Sequence, residues 1–162
     1  MTDHPRHRPN VGVVLFNRDG RVWLGRRAGL VTGPAWQFPQ GGVDKGEDLE
    51  AAARRELEEE TGVTSADLIG RTEGWIVYDF PEALKARHAV EGRKPWDGQK
   101  QGWFAFRFSG EEAEIDLNRH AEVEFDAWRW GDLEEVCDLI VPFKRAAYEQ
   151  VVAAFTPFAR QS

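Results

Sequence analysis

The stretch from Gly41 to Val63 constrains this chain more than any other part of its sequence. It begins with two glycines, continues into a segment with a helical pattern, and reaches Gly62, a residue type common just beyond a helix C-terminus. The helical segment contains four glutamates in five positions, namely Glu56, Glu58, Glu59 and Glu60. The apolar residues Leu49, Ala53 and Leu57 recur every fourth position, which predicts that one stripe of the helix packs on a core.

Three of these glutamates, Glu56, Glu59 and Glu60, have the spacing i, i+3 and i+4, so a helix places them on one face. Like charges at this spacing repel one another, and the repulsion grows when the carboxylates are partly desolvated. A divalent cation such as Mg²⁺ or Mn²⁺ compensates for the repulsion and can share its coordination with substrate phosphates. A solvated acidic helix surface is the alternative interpretation of the same residues.

The spacing of the glycines, the glutamates and Arg55 over the whole stretch favours the metal site over the solvated surface. Five residues lie between Gly41 and Glu47, seven between Glu47 and the triplet Arg55-Glu56-Leu57, and one before each of the pairs Glu59-Glu60 and Gly62-Val63. All nine positions match, and the stretch resembles the complete signature of the Nudix hydrolases. The resemblance implies a loop–helix–loop that binds divalent cations and cleaves a nucleoside diphosphate linked to another group.

The same resemblance implies two kinds of role within the stretch. The implied metal ligands are Glu56, Glu59 and Glu60, with a backbone carbonyl at Gly41. Of these, Glu56 and Glu59 are also implied catalytic residues, together with Glu47 and Arg55. Glu47 and Arg55 are interpreted as a carboxylate–guanidinium frame that holds the loop and the ligands in register. The implied cofactor is Mg²⁺ or Mn²⁺, with about one to three ions. A plain turn is the alternative interpretation of the two glycines.

Five further segments extend the resemblance over nearly the whole chain. They are Arg8–Gly12 (RPNVG), Trp36–Gly42 (WQFPQGG), Gly98–Phe104 (GQKQGWF), Glu124–Trp130 (EFDAWRW) and Phe143–Arg145 (FKR). They resemble the Nudix branch that contains RNA pyrophosphohydrolases and dinucleoside polyphosphate hydrolases. In that branch the glutamate before the phenylalanine reaches the metal site as a ligand or general base, which implies this role for Glu124. Glu122 competes for it, with a solvated loop carboxylate as its alternative.

Basic and aromatic residues of these segments and their surroundings are predicted to hold the substrate. The predicted substrate-binding residues are Arg8, Arg27, Gln40, Lys100, Phe143 and Lys144. The cations would neutralise a polyphosphate, and Phe143 would stack on a base with Arg27 on its other face. Core packing is the alternative for Phe143, and solvated surface charge is the alternative for Arg27 and Lys144. Residues 82–97 are longer and richer in charge than the branch leads us to expect, so the outer substrate contacts should differ.

The order of predicted elements favours an α+β fold. Elements are expected as a hairpin over 11–26, the motif helix over 48–60, a strand over 68–78, a loop over 81–100 with a short helix near 82–87, strands over 102–108 and 125–130, and a last helix from Pro142. Because strands and helices do not alternate regularly, we predict an α/β/α sandwich with a mixed central sheet, the motif helix on one side and the C-terminal helix on the other. A length of 162 residues predicts one domain, with a flexible arm over residues 1–7.

Composition narrows the partners and the compartment. The net charge of −7 argues against a basic stripe along a nucleic-acid backbone, so we expect RNA to be held by one end and DNA not to be a partner. Cys137 is the only cysteine, which excludes an intramolecular disulfide and fits a reducing compartment. No apolar run approaches 18 residues and no secretory signal is visible, so we expect a cytoplasmic protein without a membrane span, and favour a monomer.

Three functional hypotheses remain at this point. The first is a metal-dependent hydrolase that removes pyrophosphate from the 5′-triphosphate end of RNA and leaves a 5′-monophosphate. The second is a hydrolase that splits dinucleoside polyphosphates such as diadenosine tetraphosphate into ATP and AMP. The third is an inactive nucleotide-binding module, which the presence of every glutamate of the signature disfavours.

Overall fold

The computed structural model describes residues 4–29, 35–118 and 123–159. The strands are β1 (His7–Phe16), β2 (Val22–Arg27), β3 (Trp36–Gln37), β4 (Gln40–Gly42), β5 (Ala66–Arg71), β6 (Ile76–Asp79), β7 (Gly98–Phe108) and β8 (Phe125–Gly131). The α-helices are α1 (Leu49–Thr61), α2 (Glu82–Val90), α3 (Val136–Leu139) and α4 (Arg145–Ala159). Short 3-10 helices occupy Glu112–Glu114, Leu133–Glu135 and Pro142–Lys144.

All eight strands belong to one mixed sheet. Its central order is β3-β2-β1-β7-β5, while β4 pairs with β1, β6 with β7 and β8 with β2. The pair β1–β7 is parallel and extends from His7 beside Gly98 to Phe16 beside Arg107, whereas the other pairs are antiparallel. This long central pair brings the start of the chain beside residues nearly a hundred positions later.

The two faces of the sheet bury two separate cores. Val11, Val13 and Leu15 of β1 point to one face, where they pack with α1 through Ala52, Ala53 and Leu57. Val14 and Phe16 point to the other face, where they pack with α4 through Ala147, Tyr148, Val151 and Phe155. Because residues alternate across a strand, β1 contributes to both cores at once. The predicted α/β/α sandwich, with the motif helix and the C-terminal helix on opposite sides, is therefore confirmed.

Helix α1 is capped at both ends, and its C-terminus lies where Gly62 predicted it. The Asp48 side chain accepts a hydrogen bond of 3.1 Å from the backbone N–H of Ala51, which caps the helix N-terminus. At the other end Gly62 adopts a φ of 80° and donates its N–H to the Glu58 carbonyl at 2.8 Å. A left-handed residue of this kind costs little for glycine and more for residues with a Cβ, so the position of Gly62 fixes where the helix ends.

The structure differs from the sequence prediction between residues 68 and 104. The expected single strand over 68–78 is two strands, β5 and β6, because each pairs with a different half of β7. The expected loop over 81–100 contains a helix up to Val90 and the start of β7 at Gly98. The backbone N–H of Glu91 donates to the Arg87 carbonyl at 3.0 Å, so the helical hydrogen bonds continue past the expected end at Arg87. Pairing with both β1 and β6 explains why β7 begins four residues early.

The flexible arm over residues 1–7 stays a prediction, and residues 1–3 lie outside the described part. Within the described part, Arg6 donates to Asp97 at 2.7 Å and β1 begins at His7. The competing base candidate Glu122 also lies outside the described residues, as do positions 30–34. Across 4–29, 35–118 and 123–159, no helix has the length and apolar character needed to cross a membrane.

Candidate active site

Strand β4 brings the chain against the acidic face of α1. Gly41 pairs with Val11 of β1, so its α-hydrogens face the same side of the sheet as α1. A Cβ added at Gly41 would overlap the carboxyl group of Glu56. The absence of a side chain at Gly41 is thus what allows the backbone of the loop to approach this glutamate. The neighbouring residues Gln40 and Gly42 face the opposite side of the strand.

Arg55 ties the loop to the helix. Its guanidinium donates from Nε and Nη2 to both carboxylate oxygens of Glu47, each at 2.9 Å, and from Nη2 to the Gly42 carbonyl at 2.9 Å. Its Nη1 donates to Glu56 at 2.8 Å and to Glu59 at 3.3 Å. One side chain therefore fixes the loop carboxylate, the loop backbone and two of the predicted metal ligands.

The ionisation of this frame follows from the same contacts. The hydrogen bonds from Arg55, with a further one from the Asp44 backbone N–H, lower the pKa of Glu47 to about 2 from its ordinary 4.5. Glu47 in turn raises the pKa of the Arg55 guanidinium, although partial burial opposes the rise. Both groups are charged throughout the neutral range, as a fixed ion pair requires.

Glu60 is the most unusual carboxyl group of the site. The residue is only 4% exposed, and burial raises its pKa well above the ordinary value. The neighbouring Glu56 carboxyl raises the pKa further, as does the charge of Glu124, while a hydrogen bond from the Gln40 backbone lowers it. Oε2 of Glu60 has no hydrogen-bond partner among the described residues. A buried carboxylate beside another acid requires either a proton or a cation.

These features fit a hard divalent cation. The donors are carboxylate oxygens, the type of ligand that Mg²⁺ and Mn²⁺ prefer, and one of those oxygens is buried without a partner in the part of the chain that the structure describes. The structure brings together Glu56 and Glu60 and places Glu124 close enough to act on Glu60 electrostatically. The Glu59 carboxylate, like that of Glu56, accepts a hydrogen bond from Arg55. Within the described part of the chain, no group of three acidic, histidine or cysteine side chains is preassembled as a metal site.

A cleft of about 990 Å³ adjoins this acidic cluster on the α4 side of the sheet. Of the six predicted substrate-binding residues, five line it, namely Arg8, Arg27, Gln40, Phe143 and Lys144. Gln40 connects the acidic cluster and the cleft. Its backbone forms a hydrogen bond with Glu60, while its side chain faces the cleft and accepts a hydrogen bond of 3.4 Å from the Tyr148 hydroxyl. A polyphosphate lying in the cleft would therefore meet the acidic cluster at one end.

Lys144 is the lining residue of the cleft whose pKa is lowered by burial and by a neighbouring positive charge. Its side chain is buried, and burial lowers its pKa to about 8 from 10.5; the positive charge of Arg27 lowers it further, while Glu60 opposes this. Two cations that destabilise each other in a partly dry cleft are a favourable place for an anionic ligand. Arg27 itself is exposed at the end of β2, which leaves its guanidinium accessible to a ligand.

Phe143 lies at the mouth of the cleft and is only half-buried. Its ring centroid is 5.8 Å from that of Tyr78, with the two rings tilted by 52°. It also packs on the core beneath α4. Phe143 therefore combines the two interpretations that its sequence position allowed: one part of the ring supports the core, and the rest lines the cleft.

Lys100 is not among the described residues that line the cleft, and its role as a substrate contact stays a prediction. Side chains alternate along β7, so Gln99 faces the cleft and Lys100 faces the α1 side, where its Nζ lies 5.2 Å from the centre of the Trp75 ring. Sequence reasoning missed Gln99 and Tyr78, whose hydroxyl donates to the Gln99 side chain. The alternation of β7 was the available signal, but its phase relative to the cleft depends on pairing with β1.

Comparisons with known proteins agree with this geometry. The NUDIX domain family matches residues 6–153. An RNA pyrophosphohydrolase of Caulobacter vibrioides is 68% identical over 160 residues, which are 98% of this chain and 91% of the relative. An RNA pyrophosphohydrolase of Rhodospirillum rubrum is 53% identical over 153 residues, which are 94% of this chain and 89% of the relative.

Solved structures support the same fold. An Ap4A hydrolase binary complex of C. elegans aligns with a TM-score of 0.59 at 18% identity, covering 91% of this chain and 98% of that one. The dihydroneopterin triphosphate pyrophosphohydrolase of E. coli aligns with a TM-score of 0.62 at 23% identity, covering 91% and 97%. At these identities the similarity concerns the fold alone.

Proposed function

The chain belongs to the NUDIX domain family, and on this premise we propose that it is a divalent-metal-dependent pyrophosphohydrolase that acts on the 5′-triphosphate end of RNA. The products are pyrophosphate and RNA with a 5′-monophosphate. The observation that carries the proposal is the position of Gln40, where a cleft lined by cations meets Glu60, a buried glutamate with one carboxylate oxygen that has no hydrogen-bond partner among the described residues. The two RNA pyrophosphohydrolases described above, similar to this chain over nearly its whole length, support RNA as the substrate.

In the proposed site, Glu56, Glu59 and Glu60 hold the cations and Arg55 with Glu47 holds the ligands in place. When bound, Mg²⁺ or Mn²⁺ offsets the charge of the phosphate oxygens, acidifies a water molecule and stabilises charge on the leaving phosphate. Because Arg55 already contacts Glu56 and Glu59, the framework orients these carboxylates before the substrate arrives. The Gly41 backbone carbonyl is a further proposed ligand.

The remaining residues act on the substrate and the attacking water. We assign the proton of the attacking water to Glu124, which lies near Glu60 and at the edge of the acidic cluster. As the water oxygen forms a bond to phosphorus, the anhydride bond between the α- and β-phosphates breaks and pyrophosphate leaves. Arg8, Arg27 and Lys144 neutralise the phosphates that the cations do not cover, and Phe143 stacks on a base.

One experiment tests the substrate. Turnover is compared on a 5′-triphosphorylated RNA oligonucleotide and on diadenosine tetraphosphate, with Mg²⁺ and with EDTA. We expect release of pyrophosphate from the RNA with Mg²⁺ and no turnover with EDTA. Turnover of diadenosine tetraphosphate alone would contradict the RNA assignment and favour the second hypothesis of the sequence analysis.

A second measurement tests the metal assignment without activity. Mg²⁺ or Mn²⁺ that binds only the folded state stabilises it by about 2.7 kcal/mol at a hundredfold excess over Kd, a shift in Tm of about 5 °C or more for a domain of this size. We expect this shift in the wild type and in E58Q, a substitution on the same helix, and its loss in E60Q. An undiminished shift in E60Q would remove Glu60 from the ligand set.

The expected monomer and the cytoplasmic location belong to the same proposal. A monomer is consistent with a site built entirely from residues of one chain, since both the acidic cluster and the cleft are formed by it. Size-exclusion chromatography with light scattering measures the mass directly against the 18.4 kDa of one chain.

A further inference from the structure

One wall of the cleft is made by a single continuous segment that is separate from the acidic cluster. Helix α2 and the loop that follows it, residues 82–97, supply seven of the lining residues. We call this segment the outer wall. Its lining residues are Leu84, Arg87, His88, Glu91, Arg93, Lys94 and Trp96. None of them contributes to the acidic cluster, and the proposed hydrolysis does not use them.

The outer wall concentrates positive charge in a protein that is negative overall. Arg87, Arg93 and Lys94 line the cleft there, whereas Glu91 is the only carboxylate among the described lining residues of the whole cleft. The chain as a whole has a net charge of −7. A local excess of cations on an acidic protein indicates a surface selected for an anionic ligand rather than one reflecting the average composition.

These cations lie beyond the residues that a 5′-triphosphate needs. Arg8, Arg27 and Lys144 already face the inner part of the cleft, and Lys144 is close enough to Glu60 for their charges to interact. A triphosphate held at the acidic cluster is therefore neutralised before the outer wall is reached. The charges that remain available to the outer wall are those of phosphates farther along an RNA chain.

The outer wall also offers an aromatic ring in the arrangement common to single-strand binding. Trp96 is half-buried, and the Nζ of Lys94 lies 4.3 Å from the centre of its ring. Cations along a backbone path, with aromatic rings between them, hold single-stranded nucleic acid with little preference for sequence. The imidazole of His88 packs edge-on against Phe80, with ring centroids 5.2 Å apart.

Contacts at both ends of the segment hold the outer wall in position. Asp97 accepts from Arg6 at 2.7 Å, and its backbone N–H donates to the Arg6 carbonyl at 2.8 Å. Just before the segment, Asp79 at the end of β6 lies 2.6 Å from the Nε2 of His7. The first contact joins the end of the segment to Arg6, the residue before β1, and the second joins the strand that precedes α2 to the first residue of β1, the strand that also carries Arg8. The outer wall is thus fixed relative to the inner cleft.

We propose that the outer wall binds the RNA backbone downstream of the first nucleotides and so makes turnover depend on RNA length. This proposal rests on the proposed function, because it names how the same substrate is held farther from its 5′ end. The ligand class is a single-stranded polynucleotide, and recognition is by phosphate charge and base stacking rather than by base identity.

The test compares kcat/KM on a triphosphorylated dinucleotide and on a triphosphorylated octamer of the same 5′ sequence. For R87Q/K94Q we expect the octamer-to-dinucleotide ratio to fall about tenfold, since two phosphate contacts are lost. The slope of log kcat/KM against log salt on the octamer should become shallower by about 1.4, at about 0.7 for each contact to a single strand.

A matched double substitution controls for loss of charge alone. R18Q/R21Q removes two cations from the turn that follows β1, at the other end of a strand about 30 Å long. We expect its ratio and salt slope to equal those of the wild type. E91Q should have the opposite effect. It removes a carboxylate that lies 3.4 Å from Arg93 and leaves that guanidinium available to RNA, so the octamer-to-dinucleotide ratio of kcat/KM should rise.

Three results would overturn the proposal: an unchanged ratio in R87Q/K94Q, an equal fall in R18Q/R21Q, or a lower ratio in E91Q. Failure of the proposed function, meaning that the wild type hydrolyses no RNA, can be distinguished from these three results. If the wild type hydrolyses neither RNA, fluorescence anisotropy with a labelled 5′-monophosphorylated octamer still decides the matter, because R87Q/K94Q should weaken binding about tenfold while R18Q/R21Q should not. Equal affinities of all three proteins would exclude an RNA surface at the outer wall.

Discussion

Arg55 links the loop, the helix and two of the proposed metal ligands through one guanidinium. A lysine in its place would supply one point charge where the structure uses separate donors to Glu47, Gly42, Glu56 and Glu59. The planar fork explains why the signature specifies arginine at this position. The resemblance had assigned Arg55 and Glu47 to a frame, and the contacts show what such a frame connects.

The ion pair between Arg55 and Glu47 predicts a specific pH dependence of stability. The pKa of Glu47 falls to about 2 in the folded state from an ordinary 4.5, so its contribution is fully present above about pH 4.5 and is lost as the pH falls towards 2. Urea unfolding of wild type and E47Q should therefore give a difference at pH 6 that shrinks between pH 4.5 and pH 2.5. A difference that stays constant over this range would contradict the ion pair as its source.

At the scale of elements, sequence patterns predicted what local chemistry determines and missed what long-range pairing determines. Helix α1 was predicted nearly to the residue, because the apolar stripe and Gly62 are both local signals. The early start of β7 and the orientation of Lys100 were missed, because both depend on pairing with β1 and β6. No pattern within Gly98–Gln101 states which strand will lie beside it.

The end of α1 provides the prediction at this scale. Gly62 has a φ of 80°, and a Cβ there would lie 3.0 Å from the Glu114 carbonyl oxygen, so G62A should destabilise the fold by about 1–2 kcal/mol. Gly46 is a matched control, since its φ is 78° but no atom of the described residues lies within 4 Å of an added Cβ. G46A should cost about 1 kcal/mol or less. Urea denaturation measures both, and equal costs would mean that the Glu114 contact contributes nothing.

At the scale of the whole molecule, the cleft proposed to hold the substrate is assembled from distant parts of the chain. Arg8 comes from β1, Arg27 from β2, Gln40 from β4, and Phe143 with Lys144 from the turn before α4. The parallel pair β1–β7 and the packing of α4 bring them together. Sequence motifs identified these five residues individually, whereas Tyr78, Gln99 and the outer wall became visible only once the sheet was assembled.

The position of Phe143 between core and cleft leads to a prediction that separates binding from folding. F143L keeps an apolar side chain for the core but removes the aromatic face, and a base stacked on an aromatic ring contributes about 1–3 kcal/mol. We expect KM for triphosphorylated RNA to rise about tenfold with a smaller change in kcat, because the lost contact exists before and during the reaction.

Phe158 provides the matched substitution for this test. It is also half-buried and packs against Phe16 and Phe155, with ring centroids about 6 Å away, but it lies near the end of α4, about 20 Å along the helix from Phe143. F158L should lower Tm to a similar extent and leave KM unchanged. If both substitutions raise KM equally, the effect comes from loosening α4, and Phe143 acts through packing alone. If F143L raises KM by itself, the exposed part of its ring holds the base.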